Sequence, residues 1–278
     1  MSQTLFLEAF GQLSRDTSLP GIVSEDEDLY SVFNARAELM SWATTATQRR
    51  RVELWGMEEA ELTVGTDASR IGWVQVGLGE VVEPGTLELP TPTRGYTSLP
   101  VVRRSAVEPP MALPALVQCF DDALRRFGAV ELAGLQVTAI NLEPSTRSCL
   151  GDFVGVLNWF NTTQKARADA LITISHELLG GHTEAELVAS LQRWNTGSFE
   201  FGPVVAVPEQ HWIKAPFEAP LRFTSPVISP ACSGLGLSVT LPEWTASAVG
   251  WVLGKVIDEA RAGAPDVPNF AVRVTRVR

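Results

Sequence analysis

Two stretches of the sequence follow one plan of strand, helix and strand, and that plan limits the folds open to the chain. In the first, residues 97–102 read as a strand, 112–127 as a helix and 135–142 as a strand; in the second, 224–228, 243–262 and 270–277 take those places. The first helix is the best specified. Leu113, Leu116, Val117, Phe120, Ala123, Leu124 and Phe127 keep helical spacing on one side. Pro114 suits its first turn, Arg125 and Arg126 its negative C-terminal end, and Gly128 its stop. The second helix buries Val249, Val252, Leu253 and Val256 and also carries Ala246, Gly250 and Gly254 four residues apart. A helical glycine costs about 1 kcal/mol relative to alanine, so close approach of a sheet or another helix is the expected compensation.

The remaining segments supply single helices between strands. Residues 5–10 read as a strand, and Ser24 with Glu27 has the capping-box form for a helix burying Leu29, Val32, Phe33, Ala37 and Met40. Residues 52–55 begin an alternating strand, and 61–66 with 71–78 read as a hairpin across a short polar link. Residues 81–110 form a Pro- and Gly-rich loop around the strand at 97–102. The turn-rich 143–149 segment divides the chain. After it come an apolar stretch at 152–162, a strand at 168–175 and a helix opened by Thr183 and Glu186, with Leu187, Val188, Leu191 and Trp194 on one face. A strand at 198–207 and another at 221–228 follow. Thr240 and Glu243 have a third capping-box spacing, and 270–277 alternates like a half-exposed strand. Trp42, Trp159, Trp194, Trp244 and Trp251 read as core or helix-face residues.

The expected fold class is therefore α+β: mixed or antiparallel sheets built from strand–helix–strand units, helices covering one face, with room for a two-fold pseudo-repeat. The expected organisation is an N-terminal half, 1–145, and a C-terminal half, 146–278, packed as one compact unit.

A net charge of −10 argues against nucleic acid as the main partner, because phosphate binding needs clustered cations. No apolar run approaches the ~20 residues that cross a bilayer, and the N-terminus lacks the basic and apolar regions of a secretion signal. The expectation is a cytoplasmic protein without a membrane partner. Cys119, Cys149 and Cys232 form no close pair, so neither a disulfide framework nor a zinc ribbon is expected. Cys119 falls on the apolar side of its helix as a small hydrophobe.

Three segments carry residues suited to chemistry or binding. His176 and Glu177 begin like His-Glu-x-x-His, but the next histidine is His182, six positions on rather than four, with Gly180 and Gly181 between. Two imidazoles so spaced do not share one helix face, so zinc-peptidase chemistry and a metal site are not expected. The three residues remain candidates for acid–base work, with His182 beside a helix start that favours its neutral form. Cys232 and Ser233 precede Gly234-Leu235-Gly236, a turn able to present a nucleophile, although it lacks both the nucleophile-elbow and the dinucleotide patterns. His211, Trp212 and Lys214 lie in a proline-bounded segment suited to ligand or partner contact. Asp121 and Asp122 read as a solvated ion-pair face with Arg125 and Arg126.

No complete catalytic constellation follows from these residues, and no cofactor is expected. The functional expectation is an acidic binding or assembly protein, such as an adaptor, complex subunit or inhibitor-type module, whose partner is another protein. The alternative is a small-molecule enzyme using the 176–182 loop or the Cys232-Ser233 turn.

Overall fold

The computed structural model describes residues 3–15, 29–39, 44–45, 73–75, 80–82, 96–103, 113–140, 142, 159–160, 162, 166–175, 179, 183–208 and 234–277. In chain order the elements are β1 (Gln3–Arg15), α1 (Leu29–Leu39), β2 (Thr44–Thr45), β3 (Trp73–Gln75), β4 (Glu80–Val82), β5 (Tyr96–Arg103), α2 (Leu113–Phe127) and β6 (Gly128–Ile140). There follow β7 (Ala168–Ile174), α3 (Glu184–Gln192), β8 (Glu200–Val205), β9 (Leu235–Leu241), α4 (Ala246–Gly263) and β10 (Phe270–Arg276).

The strands lie in one sheet in the order β2-β3-β5-β1-β6-β10-β7-β9-β8, with β4 also paired to β5. From β1 to β8 the six strands form an open antiparallel sheet. The described parallel pair is β2 with β3. The fold is thus α+β, as expected, with the sheet running antiparallel through its centre. From β7 onward the chain runs strand–helix–strand–strand–helix–strand, and its strands stand in the order β10-β7-β9-β8.

Strand alternation separates two faces. Leu5, Leu7 and Ala9 of β1, Leu135, Val137 and Ala139 of β6, Val272 and Val274 of β10, Ile172 and Ile174 of β7, and Leu237 and Val239 of β9 join the core with the helices. Val32, Phe33 and Ala37 of α1 and Leu113, Leu116, Val117, Phe120, Ala123 and Leu124 of α2 are buried there. Helices α2 and α4 pack against each other, α1 lies on α2, and α3 on α4. Gly250 explains the close crossing of α2 and α4: a Cβ there would lie 3.2 Å from Val117 Cβ and 3.3 Å from Pro114 Cα.

Several expectations are corrected. The strand after α2 starts at Gly128, not 135, so helix passes directly into strand. That extension pairs with β1 beyond a bulge, where Phe10 faces Gly134 and Gly11 faces Leu132. Gly11 is needed there, since a Cβ would fall 2.2 Å from the Glu131 carbonyl oxygen. Strand β9 precedes α4, and the expected strand at 224–228 lies outside the described residues. Thr240 is not a helix cap. It belongs to β9 and donates to Asp169 Oδ1 at 2.8 Å, while Thr245 caps α4 by accepting from the Ala248 N–H at 3.3 Å. Strand β10 is not half-exposed either: pairing with β6 and β7 places it mid-sheet, and Phe270 to Val274 are all buried. The Ser24-Glu27 cap, the 52–55 strand, the 61–66 arm of the hairpin and the 143–149 turn lie outside the described residues.

Candidate functional site

His176, Glu177, His182, His211, Trp212, Lys214, Cys232 and Ser233 all lie outside the described residues. The described residues that flank them share one end of the sheet. Ile174, the last residue of β7, is the register partner of Leu235, the first of β9, and Val205, the last of β8, faces Gly236. Strands β7 and β8 therefore end, and β9 begins, at the same end of three adjacent strands. Sequence reasoning could not supply this strand order, because it is not written in any one segment.

The anchors at this end are tightly built. Ser175 closes β7: its N–H donates to the Ala271 carbonyl and its hydroxyl accepts from the Ala271 N–H, at 2.9 and 3.0 Å. Gly234 runs against β7 so closely that a Cβ would meet the Ile174 carbonyl oxygen at 2.2 Å. On the far side of the 176–182 loop, Thr183 forms the expected capping box. Its hydroxyl accepts from the Glu186 N–H, and its own N–H donates to Glu186 Oε2 at 2.8 Å. Leu179, within that loop, packs half-buried on the core.

Two polar clusters that sequence reasoning did not single out lie among the described residues. One lies on the sheet face turned from the helices, where Glu8, Gln136, Arg273 and Thr173 stand side by side on β1, β6, β10 and β7. All four are buried. Glu8 Oε2 accepts from Gln136 Nε2 at 2.6 Å and from Thr138 Oγ1 at 3.1 Å, and the Arg273 guanidinium lies 4.0 Å from the Phe10 ring centroid. Buried polar groups of this kind are tolerated when hydrogen-bonded, and the Glu8 carboxylate is.

The second cluster fastens α3 to α4 through Glu259. Its carboxylate accepts from Trp194 Nε1 at 3.0 Å, from Lys255 Nζ at 2.5 Å and from the Ser190 hydroxyl. Lys255 Nζ also sits 3.3 Å from the Trp194 ring centroid, a cation–π contact. Burial pushes the Glu259 carboxyl up, but the hydrogen bonds from Lys255, Ser190 and Trp194 and the Lys255 charge outweigh it and hold it below the usual range. Both clusters join one element to another and read as packing chemistry.

Other candidates resolve plainly. Asp121 is buried, not solvated, and accepts from Arg125 Nε at 2.6 Å, while Asp122 reaches across to Arg36 of α1 at 2.7 Å. Cys119 is buried as expected; burial, the largest influence, pushes its thiol up to about 11. No cluster of three or more histidine, cysteine or carboxylate side chains among the described residues has the geometry to hold a metal ion. No described helix is long and apolar enough to cross a membrane.

Trp159 reverses an expectation. It is 66% exposed, whereas its neighbour Phe160 is 3% exposed and meets Phe199 edge-to-face, with centroids 5.3 Å apart. Both residues are helical; one of the aromatic pair anchors the segment and the other is displayed. Trp194, Trp244 and Trp251 pack partly buried against the core, as expected.

Comparison with protein-family models, curated proteins and solved structures gives no match for this chain.

Proposed function

We propose that the chain is a cytoplasmic, acidic binding or assembly protein whose partner is another protein. The observation that carries this reading is Trp159, exposed on a helical segment that Phe160 pins to the core. A large aromatic side chain held on a fixed backbone gives contact area at little entropic cost, and tryptophan is enriched among residues that dominate interface affinity. The net charge of −10 favours a basic partner through long-range steering. The 211–214 segment, with His211, Trp212 and Lys214, is proposed as a further contact. Affinity purification of wild type and Trp159→Ala from the native host tests the idea. A stoichiometric, salt-sensitive partner is expected with wild type and is depleted at least tenfold with a variant of unchanged circular dichroism. Equal recovery with both proteins would sink it.

We also infer that 1–145 and 146–278 are related halves. The support is topological. Strand β1, helix α1, the short strands, β5, α2 and β6 correspond in order to β7, α3, β8, β9, α4 and β10, each group following the split βαβ plan. Each group's last strand also meets the other's in the antiparallel β6–β10 pair. Co-expression of 1–145 and 146–278 as separate chains is expected to give one complex with the parent's spectrum. Recovery of only unfolded fragments counts against the inference.

A second functional reading has one observation in its favour. The strand ends that carry His176, Cys232 and the 209–233 segment lie together. An enzyme using His176, Glu177 and His182 as acid–base groups, or Cys232 or Ser233 as nucleophile, would be assembled there. Fast iodoacetamide labelling of Cys232, slowed by His176→Ala or His182→Ala, supports it; a Cys232 as slow as a free thiol removes the nucleophile.

A further inference from the structure

We draw no further inference here: the strongest candidate, the buried polar row of Glu8, Gln136, Arg273 and Thr173 on the sheet face turned from the helices, carries none because nothing in the structure shows what covers it.

Discussion

Gly250 of α4 lies against Val117 of α2 so closely that a methyl group would be 3.2 Å from the valine Cβ. Gly250 is the middle residue of the Ala246, Gly250 and Gly254 spacing, and its close approach lets the two helices pack against each other. Gly250→Leu is expected to cost about 1–3 kcal/mol by overpacking. Gly250→Ala is expected to change stability far less, since the gain in helix propensity offsets the crowding. Urea denaturation of both variants checks the pair; a neutral Gly250→Leu would show that the helices are free to move apart.

Glu259 is the point where α3 and α4 are joined. Its carboxyl is held below the usual range when folded, so its contribution is present above the unfolded value of about 4.3 and is lost as pH falls through the lower folded value. Glu259→Ala is expected to cost about 2 kcal/mol at pH 7, because hydrogen bonds to a charged group are lost. The variant's deficit relative to wild type should shrink on acidification below pH 4. A deficit that stays constant across that window excludes the ionised carboxylate as the cause.

The cap of α4 can be assigned by substitution. Thr245→Ala is expected to cost about 1 kcal/mol, the usual worth of an N-cap hydroxyl. Thr240→Ala removes an exposed bond to Asp169 and should cost less. The reverse ranking in thermal melts would restore Thr240 as the cap.

Cys119 should be silent in thiol chemistry. With a buried thiol pushed up to about 11, it holds almost no thiolate at pH 8. Mass spectrometry after iodoacetamide should find it modified only once the chain is denatured. Native labelling at Cys119 would mean that α2 opens readily from the core.

How far the fold could be read from sequence depended on the kind of signal. Helix α2 was legible because its apolar residues repeat with the helical period and its ends carry proline and glycine. The cap of α3 was legible because Thr183 and Glu186 act within one turn. Thr240 and Glu243 have the same spacing, yet Leu241 is a core residue of β9 and the strand continues through it. Tertiary pairing overrode the local pattern there. Alternation in 270–277 identifies a strand, but alternation reports two faces and not whether the second is covered, so the strand reads as half-exposed although Arg273 is buried. Trp159 and Phe160 stand side by side in sequence, and composition does not tell which of them the core takes. The candidate chemistry was legible only as separate segments; that the strand ends flanking them lie together follows from the β7–β9–β8 pairing, which joins residues some sixty positions apart (Ile174 and Leu235).

Strand β10 has a further consequence for how the sheet is made. It stands between β6 and β7, yet it is the last of these elements to leave the ribosome. Until residues 270–276 emerge, β6 and β7 each present an open backbone edge toward the gap that β10 will fill. Open edges invite pairing with other chains, and pairing over such sequence distances is slow. The nascent protein is thus most exposed to misassembly just before synthesis of its central strand, and a chain truncated ahead of Phe270 is left with both edges unsealed.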